Sequence, residues 1–496
     1  MKKNNNILHQ DKIVTSSKGG GWNGAFYIIL LALLLIYAIY IGLNFPYSFI
    51  TMEGDDYWVL TWDYWYLKLA MLPAITLWLA DFLIQFYGSV WTAVCIQTVA
   101  LGITGVLAYR VIKASPIGTV WGGKLCWLAL LPPVLLGYFC TFSLSFILQT
   151  LFLFGMLRIF QFIPDIRGKW LWSLVCVTLG FLLLRTPMIM VLLAVNAALI
   201  YRSYNVRKAL YWLVPAMLLY IVPIMYSQQL VFIPFKDRYT EWGGYFDPLT
   251  KKSNYDREFI LKMVSLANEG RWEDLLYKEH IGVEARRGNG TALRYALLAE
   301  CALGTLPDNL SMYPIMEESQ FYFPHEREYV TLQLNRLFYL NLGVYDEAFH
   351  QAQEYSLIMP NGNSFSSLRQ MIDYSIEEGE WEIAEKFLEV LSKSTCHNDF
   401  VRERRQKMAA AKKNFKKDIA MRADNFVGGY PFPVEMLRLA RYYKDSPNRK
   451  KMLDYAICAY MLRGDVNSFM IAVKAFDIYK DKELPKSFKL FIDNIK

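Results

Sequence analysis

The sequence predicts an all-α protein, in which a polytopic transmembrane helical bundle of about seven spans is followed by an α-solenoid of repeated helix pairs. Apolar runs dominate the first 228 residues, whereas amphipathic helix pairs with recurring glycines fill the remainder. Of the 496 residues, 54% are hydrophobic and 20% are charged. This balance is too apolar for one soluble domain and, near the end, too charged for one membrane bundle, so two parts are predicted.

The predicted bundle occupies residues 25–228, after an amino-terminal tail at 1–24. A spanning helix needs about 20 apolar residues. Seven runs approach this length, at 25–44, 89–109, 125–140, 143–157, 170–184, 186–201 and 209–228. An eighth run at 68–87 is ambiguous, and we interpret it as a juxtamembrane or re-entrant helix.

Basic residues predict the orientation of the bundle. Before residue 229 the chain has 15 Lys and Arg against 7 Asp and Glu, and after it 38 of each sign. Lys and Arg accumulate in cytoplasmic loops. The tail and the basic loops 110–124, 158–169 and 202–208 are therefore predicted on the cytoplasmic side. If 68–87 also spanned the membrane, the three loops would lie on the outer side. With 68–87 as a juxtamembrane or re-entrant helix, the carboxyl-terminal part is expected on the outer side of the membrane. Because the excess charge orients helices in the lipid bilayer, we do not expect a nucleic-acid partner.

The carboxyl-terminal part begins with a linker at 229–253. Repeated helix pairs are predicted at 254–425 and a helical cap at 426–496. Basic residues at 402–417 are interpreted as a solvated helix face. A repeat array offers a concave surface to a protein or polymer, although the alternative is that it only packs against the membrane part.

Recurring glycines define the repeat. Gly270, Gly343 and Gly379 each suit the left-handed position at a helix end and precede an aromatic residue by two positions. With Gly304 included, the successive spacings are 34, 39 and 36 residues. This part of the chain resembles tetratricopeptide repeats, whose period is about 34 residues. Gly464 is a weaker candidate for the same turn.

The segment 45–67, after the first apolar run, is rich in acids and aromatics. Positions 53–66 contain four carboxylates and six Tyr or Trp residues. Adjacent carboxylates such as Asp55 and Asp56 can hold a divalent cation or act as a base toward a hydroxyl. Trp58 and Trp62 could stack on a sugar ring or anchor the chain at the membrane interface. An outer loop with a topology signal and an aromatic belt explains the pattern equally well.

An acidic pair in the first outer loop, followed by juxtamembrane helices and a bundle, resembles the GT-C glycosyltransferases over residues 1–228. The resemblance implies sugar transfer from a polyprenyl-phosphate donor, with Asp55 or Asp56 as catalytic base or metal contact. A donor phosphate needs cations, and three lie near the predicted outer face: Arg185, Lys236 and Arg238. For Arg185 the alternatives are lipid headgroups or a pair with Asp81.

Other chemistries leave no signal in the sequence, which has no phosphate-binding glycine loop, catalytic serine elbow or Cys/His metal spacing. No cofactor is predicted, apart from the divalent cation that the carboxylate pair could hold. The alternative function is a non-catalytic, membrane-anchored scaffold for protein–protein interaction. The chain also resembles a bacterial family of polytopic membrane proteins, domain of unknown function 6057, through Trp272-Glu-Asp-Leu-Leu, the repeat at 331–360 and Ser367-Leu-Arg-Gln-Met. That resemblance implies the two-part layout and no particular activity. Because the family is bacterial, it also implies that the membrane is the inner membrane and that its outer side, where the repeat part is expected, is periplasmic.

Overall fold

The structure, a computed structural model, describes residues 20–69, 73–115, 124–139, 141, 143–204, 253–315, 318–322, 328–359, 362–414, 432–475, 479 and 483–495. Every regular element in these ranges is a helix, so the all-α prediction is confirmed for the described chain. The chain divides into two compact units. Unit 1 comprises Met1–Ile41 and Cys95–Tyr226, and unit 2 comprises Gly42–Val94 and Ser227–Lys496.

Nine α-helices precede the predicted linker in the described residues. They are α1 (Gly20–Asn44), α2 (Pro46–Asp55), α3 (Trp62–Leu69), α4 (Ala74–Ile84), α5 (Val90–Ala114), α6 (Leu131–Phe139), α7 (Leu144–Phe162), α8 (Ile166–Leu183) and α9 (Thr186–Tyr204). A 3-10 turn at Lys124–Leu130 leads into α6. In unit 1, α7, α8 and α9 pack against one another.

Three of the described helices are long and apolar enough to cross a membrane. They are Gly24–Asn44 within α1, Val90–Ala114 and Leu144–Phe162. Large apolar side chains of α1, among them Ile28 and Ile36, are exposed. A helix in water would not display such a surface, so the protein is membrane-associated. The number of seven spans stays a prediction, and the run 209–228 lies outside the described residues.

Thirteen α-helices follow the predicted linker in the described residues. They are α10 (Asn254–Asn268), α11 (Ile281–Arg286), α12 (Gly290–Leu303), α13 (Leu306–Asn309), α14 (Tyr329–Leu342), α15 (Tyr345–Ile358), α16 (Phe365–Glu377), α17 (Trp381–Leu391), α18 (Asn398–Asn414), α19 (Pro433–Tyr442), α20 (Arg449–Arg463), α21 (Val466–Ala475) and α22 (Lys486–Ile495). Consecutive helices from α14 to α18 pack against each other. Side chains of Ser253, Asn289 and Ser364 accept backbone hydrogen bonds at the starts of α10, α12 and α16.

The predicted turn glycines adopt the left-handed conformation. Gly270, Gly343 and Gly379 have φ angles of 68°, 74° and 74°, and Gly304 and Gly464 have 74° and 69°. A side chain with a Cβ is strained there, which explains the choice of glycine at these helix ends. The predicted turn positions are therefore confirmed, while assignment to the tetratricopeptide class stays a prediction.

One hydrophobic core joins the segment 46–84 to the helices after the linker. Trp58, Val59 and Tyr64 are buried in the same cluster as Leu334 and Ile372. Helix α2 contacts α10 and α16, and α3 packs on α4. The acidic segment is therefore an integral part of unit 2.

The carboxyl-terminal helices, predicted as a cap, pack on the first part of the array. Helix α20 contacts α12, α13 and α14. The rings of Phe321 and Tyr455 stack with centroids 4.8 Å apart, and Lys451 Nζ donates to Asn341 Oδ1 at 3.1 Å. These helices cover α12 to α14, so the chain returns to its earlier repeats after α18.

Candidate functional site

The acidic segment forms helix α2 and the extended residues that follow it. Pro46 occupies the first turn, where its missing N–H costs no hydrogen bond. Asp56 has extended backbone angles and ends the helix. This places Glu53, Asp55 and Asp56 at the carboxyl end of α2, against the helices of the array.

A carboxylate from α10 fixes the amino end of α2. Glu258 accepts hydrogen bonds from the backbone N–H groups of Tyr47 and Ser48 at 2.7 and 2.9 Å. It also accepts one from the Ser48 hydroxyl at 2.6 Å. Free N–H groups and the helix dipole favour an anion at this position. Burial nevertheless raises the pKa of Glu258, although the hydrogen bonds from Ser48 and Tyr47 oppose the shift.

Glu53 binds the side chains of an arginine and a histidine of the array. Its Oε2 lies 3.1 Å from Arg369 Nη2, and its Oε1 lies 2.8 Å from His397 Nε2. The other ring nitrogen of His397 is 2.9 Å from Ser394 Oγ, and the ring stacks on Phe365. Burial alone would raise the pKa of Glu53, but the His397 hydrogen bond and the Arg369 charge outweigh it and lower that pKa.

Asp55 contacts the array at Tyr355. The Tyr355 hydroxyl donates a hydrogen bond to the Asp55 carboxylate. Dense packing around the carboxylate raises the pKa of Asp55 to about 7, although Tyr355 and the Arg257 charge act in the opposite direction. A carboxyl group with this pKa can exchange a proton near neutral pH. Of the two predicted catalytic residues, Asp55 is therefore the one whose protonation suits a general base.

Asp56 is buried in a separate cluster of charges, with 3% of its surface exposed. Its backbone carbonyl accepts from the N–H of Phe365 at 2.9 Å. Burial and the nearby charge of Asp81 raise its pKa well above the usual range, while the Lys68 ammonium opposes the shift. Asp81 forms an ion pair with Lys68 and accepts from the Tyr64 hydroxyl at 2.5 Å. Asp81, considered above as a partner for Arg185, binds Lys68 and Tyr64.

The two tryptophans predicted to bind a sugar have opposite environments. Trp58 is only 2% exposed and packs against Trp78 and Phe82, with ring centroids 5.5 and 5.1 Å apart. Trp62 is 85% exposed. Trp58 is therefore a core residue of unit 2, and only Trp62 offers a ring to a ligand.

The three predicted phosphate-binding cations fall in different parts of the chain. Arg185 belongs to unit 1, where its backbone N–H donates to Gln149 Oε1 at 3.3 Å. Lys236 and Arg238 lie outside the described residues. Within the described ranges, no group of three or more His, Cys, Asp and Glu side chains could hold a metal ion.

The basic stretch in α18 is engaged by neighbouring helices. Its side chains pair with acids of α16 and α17: Arg404 with Asp373 at 2.5 Å, Arg405 with Glu385 at 2.8 Å and Lys407 with Glu377 at 2.7 Å. Such exposed pairs contribute about 0 to 1 kcal/mol each. Besides forming the solvated helix face that was predicted, these basic side chains orient α18 on the preceding helices.

Sequence reasoning missed the partners of the acidic segment. Glu258, Tyr355, Arg369 and His397 lie between 210 and 344 residues away from the groups that they bind. Arg369 stands in the Ser367-Leu-Arg-Gln-Met motif that carries the family resemblance, which is the only signal that pointed near this contact.

These features define a helical, membrane-associated protein whose acidic amino-terminal segment is built into its carboxyl-terminal helical unit. The chain belongs to a family of unknown function, DUF6057, whose family model matches residues 21–489. No curated protein and no solved structure matches the chain.

Proposed function

We propose that this protein is a non-catalytic scaffold, anchored in the membrane by its apolar helices and presenting a helical array to a protein or polymer partner. The observation that carries the proposal is that the carboxylates of the acidic segment are bound by the array or buried. Glu53 is occupied by Arg369 and His397, Asp55 by Tyr355, and Asp56 is buried. Each carboxylate that could perform chemistry also serves to hold α2 on the array.

The contacts of α2 also support one placement of the array. Because Glu53 and Asp55 bind side chains of α15, α16 and the turn before α18, this segment and the array must occupy the same side of the membrane. The charge pattern of the first 228 residues favours the periplasmic side.

Thiol labelling tests this placement. Cys396 is an exposed free cysteine in unit 2. A membrane-impermeant maleimide added to intact spheroplasts is expected to label it, while a Lys113→Cys variant is labelled at residue 113 only after permeabilisation. Labelling of Cys396 only after permeabilisation would place the array in the cytoplasm and refute the periplasmic scaffold.

A second candidate function, a GT-C-like glycosyltransferase, is favoured by one observation. The pKa of Asp55 is raised to about 7, mainly by burial, which suits a group that accepts a proton from an acceptor hydroxyl. In this candidate function, a polyprenyl-phosphate-linked sugar is the donor and the array binds the acceptor.

Two variants of α2 separate these functions. Asp55→Asn keeps an acceptor for the Tyr355 hydroxyl, whereas Glu53→Lys places a cation against Arg369 and His397. In a strain whose growth is impaired by loss of the protein, the scaffold function predicts that Asp55→Asn restores growth and that Glu53→Lys does not. The transferase function predicts that Asp55→Asn does not restore growth even though the variant is present in the membrane at normal abundance.

A loss of growth in the Asp55→Asn variant is not expected to come from misfolding. The folded-state pKa of about 7 exceeds the ordinary value of 3.8, so this carboxyl group lowers stability as pH rises from 3.8 to 7. Asparagine removes that loss. The variant should therefore be at least as stable as the natural protein at pH 8 and gain nothing near pH 4.

A further inference from the structure

Helix α3 has two faces of opposite character. Tyr64 and Lys68, one turn apart, are each 3% exposed and point into unit 2. Trp62 and Tyr66, also one turn apart, are 85% and 67% exposed. Leu60, just before the helix, is exposed as well. An uncovered patch of two aromatic rings and a leucine is costly in water and marks a docking surface.

Chain connectivity places α3 between two candidate membrane spans. Helix α1 ends at Asn44 and α5 begins at Val90, and both are candidate membrane spans. Their ends are adjacent, because a Cβ on Gly42 would lie 2.8 Å from the ring of Trp91. The segment between them therefore leaves and re-enters the membrane at one place.

The intervening helices are too short to cross the membrane. Helices α2, α3 and α4 have 10, 8 and 11 residues. At about 1.5 Å per residue, each is roughly half the length of the ~30 Å hydrocarbon core or less. The segment 45–89 is consequently held near the membrane surface at both of its ends.

We infer that the exposed face of α3, formed by Leu60, Trp62 and Tyr66, docks in the interfacial region of the lipid bilayer. Trp and Tyr are the residues that favour this depth, because their rings are apolar and their N–H and O–H groups reach water. The inference goes beyond the scaffold proposal and rests on its membrane anchoring. It assigns Trp62 to lipid instead of to a sugar.

The charges of the segment specify the kind of lipid surface. Lys68 is the single basic residue between residues 45 and 89, and it is buried in its pair with Asp81. The exposed side of α3 instead carries Asp63. Anionic headgroups therefore gain no attraction here, and docking relies on the rings and the leucine. Zwitterionic bilayers should serve as well as anionic ones.

Photo-crosslinking in vesicles tests the inference. The photoreactive residue p-benzoylphenylalanine replaces Trp62 or Tyr66 in the full-length chain, reconstituted in phosphatidylcholine vesicles. Tyr277 is the matched control, since it is 63% exposed in the same unit. After irradiation, mass spectrometry is expected to find several-fold more phospholipid adduct at positions 62 and 66 than at 277, with little change when phosphatidylglycerol is added.

Two outcomes would overturn the inference, and they differ from failure of the anchoring itself. Equal lipid adduct at 62, 66 and 277, or crosslinks at 62 and 66 to a second protein chain, would show that α3 does not face lipid. If the vesicles retain the chain after a carbonate wash in that case, membrane anchoring stands and only this inference fails. If the wash removes the chain, both fail.

Discussion

Replacing Lys68 by Met is expected to destabilise unit 2 by about 3 to 5 kcal/mol, because it breaks a buried ion pair and leaves one charge without its partner. Lys68 and Asp81 are both buried, and Asp56 lies in the same cluster. Without the ammonium group, two carboxyl groups would share an apolar site. Urea unfolding of the full-length protein in detergent, followed by tryptophan fluorescence, measures the loss.

The control for this substitution is Lys278→Met. Lys278 also pairs with an aspartate, Asp274, at 2.6 Å, but its side chain is 73% exposed. An exposed pair of this kind contributes about 0.3 to 0.5 kcal/mol. The double variant Lys68→Met, Asp81→Asn should recover much of the lost stability, because the carboxylate that pairs with Lys68 is removed together with the ammonium group. Equal stability of Lys68→Met and the natural protein would show that the pair does not determine the fold.

Replacing Glu53 by Gln is expected to cost about 2 kcal/mol, as hydrogen bonds to a charged group typically contribute about 1.5 to 3 kcal/mol. Burial opposes ionisation of Glu53, yet His397 and Arg369 lower its pKa below the ordinary 4.5. A lowered carboxyl pKa stabilises the folded state above pH 4.5 and loses that effect as pH falls through the folded value. The stability difference between the natural protein and Glu53→Gln should therefore be full at neutral pH and shrink in acid.

A double-mutant cycle with Arg369→Gln isolates the contribution of this pair. The matched control is Glu269→Gln, which removes an ion pair with Arg271 whose two side chains are about half exposed. Little change is expected there. If the two substitutions at 53 and 369 have additive effects, Glu53 and Arg369 do not interact in the folded protein, and the role that we assign to α2 is wrong.

Local features of unit 2 could be predicted from the sequence because their causes are local. The left-handed turns at Gly270, Gly343 and Gly379 need only a residue without a Cβ at a helix end. The acidic and aromatic character of residues 53–66 also identified the segment that carries the candidate site.

The pairing of that segment could not be predicted, because it depends on tertiary contact. Nothing in the neighbourhood of Glu53 indicates His397, which is 344 positions away. The sequence places Lys68 at the start of the run 68–87, and only the fold shows that it is buried against Asp81. Periodicity in one helix reports a buried face without identifying the side chains that cover it.

The discontinuous core of unit 2 has a consequence for biosynthesis. Trp58, Val59 and Tyr64 belong to the same core as Leu388 and Phe469. A ribosome therefore releases the first part of this core hundreds of residues before the last part exists, and contacts of such long sequence separation form slowly. Residues 253–496 expressed alone would lack these side chains and should aggregate. A folded fragment of unit 2 must accordingly retain residues 46–87, for example by joining them to residue 253 through a flexible linker.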